Sequence, residues 1–270
     1  MPKARTFEAG RDGLRELGQS ASLTAASATL PQGSYTTLRT YGGDRVLRLE
    51  QHVTRLQTSL ARPQPLRTDA VKAALSGAIA RAGHRESRLR LTFSPPRLFV
   101  SVESFEPPPL SLVGEGVRCV TVALQRENPH AKHTGFLATA ARAYAELPAG
   151  VNEALMVAPD GAILEGLSSN FFAIKDGVLH TERERVLEGV TRTIVIEVAA
   201  GLLPLAPRAL RKDELAQADE CFVTSVSREI LPVVAIDEHA VGDGRPGALT
   251  RELIRRFAQL VEREALSLSC

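Results

Sequence analysis

The chain has 270 residues, a formal net charge of +2 and a hydrophobic fraction of 44%, values typical of a globular protein with one large domain or two smaller ones. No cluster of basic residues is interleaved with aromatic ones, so the composition gives little support to nucleic-acid binding. Cys119, Cys221 and Cys270 lie far apart without CxxC spacing, which argues against a disulfide framework or a zinc site and fits a reducing cytoplasm. The N-terminus has no apolar leader and no stretch approaches the length of a membrane span, so we expect a cytoplasmic protein without a membrane partner.

Hydrophobic periodicity and turn residues predict helices and hairpins in the N-terminal part of the chain. In chain order these are a short polar helix over residues 7–20, a strand on each side of the Gly42-Gly43 turn, an amphipathic helix over 48–60, a helix over 69–83 with Asp69 as its N-cap, and a hairpin around Pro95-Pro96. The segment 106–116 is rich in proline and glycine and is the most loop-like stretch of the chain.

The same signals predict strands and helices in the C-terminal part. In chain order these are a strand over 117–124, a helix near 134–147, hairpins around Pro159-Asp160-Gly161 and Asp176-Gly177, a helix after GVTR that ends at Gly201, strands in ECFVTSV and LPVVAID, and a terminal helix after GRPG. Strands and helices mix without a regular β-α-β alternation. We therefore predict a mixed α/β fold, with two α/β or α+β domains that contain mixed sheets. We place a small N-terminal α/β domain at residues 1–110, an interdomain loop at 111–118 and a larger domain at 119–270.

The sequence gives little support to a dinucleotide site, a metal site or a hydrolase nucleophile. GDGRPG at 242–247 satisfies GxGxxG, but the chain ends after one more helix, so the βαβ unit of a dinucleotide site cannot be completed and we interpret the motif as a turn. The closest pair of histidines, His130 and His133, has no third ligand nearby, so we expect no metal site. GxSxG does not occur, which leaves a hydrolase nucleophile without support.

Lys132 and two other features are candidates for chemistry. Lys132 is one of five lysines and lies in NPHAKHTGF, where small neighbours leave room for a ligand and a desolvated amine could form a Schiff base; the alternative is a solvated loop lysine. In LEGVTRTIVIEV the amides of Val190 and Thr191 begin a helix and would bind an anion, unless Thr191 is a plain N-cap. Arg55 flanks the apolar stripe of its helix, where an arginine that merely snorkels would also lie.

Taken in order, these segments resemble the class IV aminotransferases, the fold-type IV pyridoxal-phosphate enzymes. The matching segments are HVTRL, Lys132 in its loop, NEAL at 152–155, DGAILEGLSSNFFAIKDG, LEGVTR, ADECFVTSVSREILPV and VGDGRPGALT. The resemblance covers roughly residues 33–260, and LEGxSSNxF followed by LxGxTR is its most specific part. That family includes branched-chain aminotransferases, D-amino-acid aminotransferases and aminodeoxychorismate lyases.

The resemblance implies pyridoxal 5'-phosphate as the cofactor, bound to Lys132 as a Schiff base, with Lys132 also moving the substrate's α-proton. It implies that Glu165 pairs with the pyridine nitrogen. The residues that it assigns to the phosphate and to the surroundings of the ring are Arg55, Val190, Thr191, Ser225, Val226, Ser168, Ser169 and Asn170. Tyr35 resembles the aromatic residue of the family's substrate pocket, and Arg90 and Arg126 are the candidates for binding a substrate carboxylate.

The chain also departs from the family pattern. LPQGSYTTLRT stands in place of DRGxxYGDG, Val226 stands where several relatives have threonine, and Phe136 and Leu137 occupy the stretch where branched-chain enzymes carry a tyrosine. The resemblance therefore implies a transaminase that acts on an amino acid and a 2-oxo acid, as a homodimer with the cofactor between its two domains, while the substrate stays open. The alternatives are an aminodeoxychorismate-type lyase and a cofactor-binding protein without catalysis, although the intact Lys132 argues against the second.

Overall fold

The structure is a computed structural model that describes residues 3–268. The described chain divides into two compact units. The first contains the described parts of Met1–Pro107, Ala131–Ala138 and Val261–Cys270, and the second contains Pro108–His130 and Thr139–Leu260. The short segment Ala131–Ala138 therefore belongs with the N-terminal part of the chain, although the residues on both sides of it belong to the second unit.

Helices and strands mix along the whole chain. The helices of the described residues are α1 (Leu23–Ala28), α2 (Leu49–Thr58), α3 (Thr68–Ala82), α4 (Leu110–Glu115), α5 (Gly135–Ala145), α6 (Val190–Ala199), α7 (Ala248–Glu264) and a 3-10 helix at Lys212–Gln217. The strands are β1 (Ala4–Gly10), β2 (Gly13–Ser20), β3 (Ser34–Arg39), β4 (Arg45–Val46), β5 (Ser87–Ser94), β6 (Arg97–Ser104), β7 (Val117–Val122), β8 (Val151–Val157), β9 (Ile163–Gly166), β10 (Asn170–Lys175), β11 (Val178–His180), β12 (Leu205–Ala206), β13 (Glu220–Ser225), β14 (Glu229–Ile236), β15 (His239–Ala240) and β16 (Leu266–Ser267).

The first unit is built on a five-stranded antiparallel sheet with the strand order β2-β1-β6-β5-β3. The apolar stripe of α2 packs Val53 and Leu56 into the same core as Val71 and Leu75 of α3 and Leu91 of β5. The predicted amphipathic helix, the Gly42-Gly43 turn and the Pro95-Pro96 hairpin are confirmed.

The second unit contains a mixed sheet with the strand order β12-β11-β10-β13-β14-β7-β8-β9, to which β15 is added beside β14. Strand β7 runs parallel to both β14 and β8, whereas β13 runs antiparallel to β10 and β14. A further pairing of β9 with β10, between Glu165 and Asn170, closes the sheet into a ring. The mixed α/β fold predicted from the sequence is confirmed, and the closing pair consists of the polar residues that interrupt the apolar pattern of LEGLSSNFF.

Residues 7–20 do not form the predicted polar helix, because they belong to the β1–β2 hairpin. Gly13 has φ of +104°, a conformation that disfavours a helix and suits a turn. Strand β2 is an edge strand with mostly exposed side chains, so its sequence lacks the alternation of apolar and polar residues that marks a strand. The polar residues of β2 are therefore as compatible with a polar surface helix as with an edge strand.

The N-cap predicted for the helix over 69–83 is wrong by two residues. Helix α3 begins one residue before Asp69, with Arg67 at its N-cap, so Asp69 lies in the first turn. There the positive end of the helix dipole stabilises its negative charge. Its predicted end at Gly83 is confirmed by a left-handed C-cap.

The loop-like segment 106–116 contains the short helix α4, which follows the extended Pro109. Within residues 3–268, no helix is both long and apolar enough to cross a bilayer.

Candidate functional site

The first unit holds the backbone of Lys132 on both sides. Its N–H donates to Ser59 Oγ at 3.0 Å, and its carbonyl accepts the Tyr35 N–H at 2.8 Å. A bridge between Ser34 and His133 continues this pairing alongside β3. The Lys132 ammonium lies 4.8 Å from the centroid of the Tyr35 ring, a distance typical of a cation–π contact. Lys132 is thus fixed by its backbone, unlike a residue of a solvated loop.

Arg55, on α2, belongs to a hydrogen-bonded chain in the same unit. Its Nη2 donates to Thr36 Oγ1 at 2.6 Å, and Thr36 Oγ1 lies 2.7 Å from His52 Nδ1. Arg55 Nη2 also lies 3.4 Å from His52 Nδ1. Because a guanidinium can only donate, His52 Nδ1 is the acceptor. Burial, and then the positive charges of Arg55 and Lys132, lower the pKa of His52 well below its usual range. The imidazole is therefore neutral, and the charges around it are positive, which suits an anionic ligand.

Arg90, on β5, lies beside the same aromatic ring. Its guanidinium is 5.1 Å from the centroid of Tyr35. Nη1 donates to Leu23 O at 3.2 Å and to Ser27 Oγ at 3.0 Å, whereas the buried Nε has no hydrogen-bond partner within residues 3–268. Burial lowers the pKa of Arg90 from its ordinary value. A buried guanidinium with a donor to spare is able to bind a carboxylate.

Glu165 stands at the closing pair of the second unit's sheet and is 2% exposed. Its Oε1 accepts from Arg126 Nε at 2.8 Å. Its Oε2 accepts from Asn170 Nδ2 at 3.2 Å and from the Leu187 N–H at 3.3 Å. A buried carboxylate is costly unless it is paired and hydrogen-bonded, so these three donors explain how an acid stands in an apolar run.

The N-terminus of α6 lies beside Asn170. A Cβ atom added to Gly189, the N-cap residue, would lie 2.2 Å from Asn170 Oδ1, so only glycine permits this approach. No side chain caps the helix, and Thr191 lies in its first turn. The amides of Val190 and Thr191 therefore have no partner within the helix, and the helix dipole favours an anion in front of them.

The N-terminus of α7, which follows GDGRPG, is different. The amides of Leu249 and Thr250 donate to the carboxylate of Glu220, at 3.0 and 2.6 Å. The protein itself fills that anion position, in line with the interpretation of GDGRPG as a turn. Within residues 3–268, no group of three or more His, Cys, Asp or Glu side chains is arranged to hold a metal ion.

The hydroxyls of the SSN segment are engaged with a second buried acid. Ser168 Oγ and Ser169 Oγ donate to Glu153 Oε2 at 3.1 and 2.9 Å. Arg228 Nη2 lies 2.6 Å from the same oxygen, and the Tyr144 hydroxyl donates to Glu153 Oε1 at 2.5 Å. The two serines thus hold their loop against β8, on which Glu153 lies.

The predicted site residues fall into two groups. Those of the first unit are Tyr35, Arg55, Arg90 and Lys132. Those of the second unit are Arg126, Glu165, Ser168, Ser169, Asn170, Val190, Thr191, Ser225 and Val226. Val226 directly follows β13 and offers no hydroxyl.

The sequence predicts no role for His52, Glu153 or Arg228, which contact the predicted site residues. His52 precedes Arg55 by three positions, which places the two on one face of α2 and could have indicated a contact. Glu153 lies in NEAL and Arg228 in SREI, two segments of the resemblance, but nothing in either segment shows that they meet. Their contact depends on the pairing of distant strands.

Comparisons with known proteins show the family to which the chain belongs. Residues 33–236 match the family model described as Amino-transferase class IV. A putative branched-chain-amino-acid aminotransferase of Methanocaldococcus jannaschii is 32% identical over 161 residues, which is 57% of this chain and 56% of that protein. A D-alanine aminotransferase of Staphylococcus aureus is 36% identical over 107 residues, or 38% of each chain. A solved structure of the T.th. branched-chain amino acid aminotransferase with pyridoxamine 5'-phosphate has a TM-score of 0.83, at 24% identity over 98% of each chain.

The aligned regions thus span about half, or less, of the length of these two curated relatives, whereas the likeness to the solved structure extends over nearly the whole fold. The family model extends from the start of β3 to the end of β14. It includes the clamped Lys132, the closing pair of the ring and the uncapped start of α6. With more than half of its residues matched in this way, the chain belongs to the class IV aminotransferase family.

Proposed function

We propose that this protein is a pyridoxal 5'-phosphate-dependent aminotransferase that moves an amino group between an amino acid and a 2-oxo acid. The observation that carries the proposal is the placement of Lys132, whose backbone is clamped and whose amine lies over the Tyr35 ring. Membership of the family, and a solved structure of similar fold with pyridoxamine 5'-phosphate, support it.

The residues present fit this cofactor. A phosphate with nearly two negative charges needs a cation and several N–H or O–H donors. In this proposal Arg55 would supply the cation, and the uncapped amides of Val190 and Thr191 and the hydroxyl of Ser225 would supply donors. The aldehyde needs a primary amine, which Lys132 provides.

When bound, pyridoxal 5'-phosphate supplies an electron sink for the electron pair that remains as an amino acid loses its α-proton. Lys132 Nζ would hold the cofactor, and the same amine would hold the proton removed from the substrate's α-carbon. Glu165 would keep a proton on the ring nitrogen, because a carboxylate beside that nitrogen would favour its charged form. Arg126, 2.8 Å from Glu165, compensates the buried negative charge.

For the substrate we propose that Tyr35 lines the pocket and that Arg90 binds a carboxylate through its unused Nε. Arg126 is the weaker of the two arginine candidates, because its Nε already donates to Glu165. The proposal includes a homodimer in the cytoplasm, with small molecules rather than nucleic acid or a membrane as partners. The free, buried thiols of Cys119 and Cys221 support a reducing compartment.

Product analysis with a panel of amino acids tests the reaction. A transaminase releases one equivalent of 2-oxo acid per site and stops until a 2-oxo acid acceptor is added. Continuous release of pyruvate without an acceptor would replace the proposal by the aminodeoxychorismate-type lyase. Cofactor binding without turnover of any donor and acceptor pair would instead indicate a protein that binds the cofactor and does no chemistry.

A further inference from the structure

Arg90 is a partly buried arginine that forms no ion pair within residues 3–268. It lies on the same face of the five-stranded sheet as Arg88 and Glu103, because alternate residues of β5 face the same way and Arg88 is paired with Glu103 of β6. Arg88 Nε donates to Glu103 Oε1 at 2.7 Å, so the one carboxylate of this group already has its own arginine. Burial lowers the pKa of Arg90, because a guanidinium away from water is costly unless an anion lies beside it. The group is therefore one negative charge short.

Helix α1 is attached to this face of the sheet at Leu23. The Leu23 N–H donates to Glu103 Oε2 at 3.0 Å. The Leu23 carbonyl accepts from Arg90 Nη1 at 3.2 Å and from Ser27 Oγ at 2.9 Å. The Leu23 side chain is buried in a small apolar cluster with Ala4 of β1. Leu23 is thus held at its N–H, at its carbonyl and at its side chain.

The contacts with α1 occupy only one nitrogen of Arg90. The Ser27 hydroxyl donates its single proton to Leu23 O, so toward Arg90 Nη1, 3.0 Å away, it is an acceptor. Nε and Nη2 lie together along one edge of the planar guanidinium, and within residues 3–268 neither has an acceptor. A carboxylate binds such an edge through two parallel N–H···O bonds. The contacts of Nη1 therefore leave available the edge that suits a carboxylate.

This guanidinium lies beside the Tyr35 ring. Thr37 of β3 is paired with Arg90, and Tyr35 is paired with Thr92, so Tyr35 and Arg90 share one face of the sheet. The guanidinium is 5.1 Å from the ring centroid, and Lys132 Nζ is 4.8 Å from the same centroid. A small molecule that reacts at Lys132 is thus within reach of Arg90.

We propose that Ser27 and Leu23 of α1, anchored by Glu103, are positioning residues that hold Arg90 Nη1 and keep its Nε–Nη2 edge available for a carboxylate of the substrate. Arg90 is the residue that binds, through two parallel hydrogen bonds. The inference rests on the proposed function, because that function supplies a substrate with a carboxylate. A neutral amide of the same shape offers one oxygen and no charge, so this edge rejects it.

Ser27→Ala tests the positioning role, because it removes one acceptor of Nη1 and keeps a residue that favours a helix. The probe is glutarate, a dicarboxylate that can present a carboxylate to Arg90 from either end. Its dissociation constant is measured by isothermal titration calorimetry on the full chain, with and without saturating pyridoxal 5'-phosphate. We expect Ser27→Ala to weaken glutarate binding by about 3- to 10-fold, with the melting temperature and the affinity for pyridoxal 5'-phosphate nearly unchanged.

Three further measurements examine the same arrangement. Arg90→Lys should weaken glutarate binding by about 10-fold or more, because an ammonium cannot form the two parallel bonds. Adding Ser27→Ala to Arg90→Lys should cause no further loss, since the serine acts only through the guanidinium. Arg88→Met with Glu103→Leu removes one charge of each sign together with the acceptor of the Leu23 N–H, and should weaken glutarate binding by about 2- to 10-fold. An unchanged affinity in that variant would overturn the role of Glu103.

Thr24→Ala removes an exposed hydroxyl of the same helix and is the matched control, with no change expected. An unchanged affinity for glutarate in Ser27→Ala, or a loss that adds to that of Arg90→Lys, would overturn the inference. An equal loss of affinity for pyridoxal 5'-phosphate would also overturn it, since Ser27 would then act on the fold. If Ser27→Ala does not fold, Ser27→Cys, which offers only a weak acceptor, serves the same comparison.

The wild-type chain separates this inference from the proposed function. A chain that binds pyridoxal 5'-phosphate but not glutarate, or that binds the neutral diamide glutaramide as tightly as glutarate, contradicts this inference alone. A chain that binds glutarate but not pyridoxal 5'-phosphate contradicts the proposed function, and the comparison of Ser27→Ala with Arg90→Lys then decides the inference without the cofactor.

Discussion

Replacing Arg126 by methionine tests how the chain keeps a carboxylate buried at Glu165. The two side chains are 5% and 3% exposed, and their atoms lie 2.8 Å apart. Removing the guanidinium takes this ion pair away from Glu165, and breaking a buried ion pair in this way costs about 3–5 kcal/mol. At about 2–4 °C per kcal/mol for a chain of this size, we expect the melting temperature to fall by about 6–20 °C.

The assay is thermal unfolding followed by circular dichroism, with Arg126→Met compared with Arg126→Met/Glu165→Gln. The glutamine removes the buried negative charge and keeps an oxygen for Asn170, so the double variant should recover most of the loss. Arg255→Met removes an exposed pairing partner and should leave the melting temperature nearly unchanged, because water screens such a pair. A melting temperature of Arg126→Met close to that of the wild type, or a double variant as unstable as the single one, would refute the reasoning.

Three more outcomes are expected. Thr36→Val breaks the chain that holds Arg55 and should weaken binding of pyridoxal 5'-phosphate by about 2- to 10-fold without affecting pyridoxal, as measured by absorption titration. Because the pKa of His52 is lowered in the folded protein, the unfolded chain takes up this proton first, and stability should fall by about 1.4 kcal/mol per pH unit below pH ~6.5. Gly189→Ala should lower the melting temperature, because the new methyl group would displace Asn170 from its bonds to the Glu165 side chain and the Leu187 carbonyl.

Each of these outcomes has a matched comparison. The pH-dependent loss should be smaller in His52→Asn, and an unchanged slope in that variant would assign it to other groups. Gly114→Ala adds a methyl group in open space within helix α4 and should be neutral or slightly stabilising. A Thr36→Val variant that loses affinity for pyridoxal as well would place the effect on the fold and not on the phosphate.

Much of the fold could be predicted, because most elements carry a local signal. The apolar stripe of α2, the Pro95-Pro96 turn and the Gly83 stop of α3 depend on nearby residues, and the structure confirms them. The sequence of the β1–β2 hairpin predicts a helix, and this prediction is wrong because the outer strand faces water and lacks an apolar face. Hydrophobic periodicity arises because one face of a helix or strand is buried. An element with few buried side chains therefore shows no such periodicity.

The candidate site was harder to predict because its contacts join distant parts of the chain. Lys132 stood out as a rare lysine among small residues, but its clamp comes from Ser59 and Tyr35, far away in the sequence. The closing of the ring at Glu165 and Asn170 likewise depends on the pairing of β9 with β10 and not on a local motif. The sequence singles out Arg126 for a substrate carboxylate, whereas its ion pair with Glu165 follows only from the fold.

Borohydride reduction of the purified protein in the presence of pyridoxal 5'-phosphate, followed by peptide mapping, tests the central claim most directly. Reduction fixes the cofactor to the amine that holds it, and the map identifies that amine among the five lysines of the chain. The account predicts a pyridoxyl adduct on the peptide that contains Lys132 and none in Lys132→Ala. No adduct, or an adduct on another lysine that persists in Lys132→Ala, would contradict it.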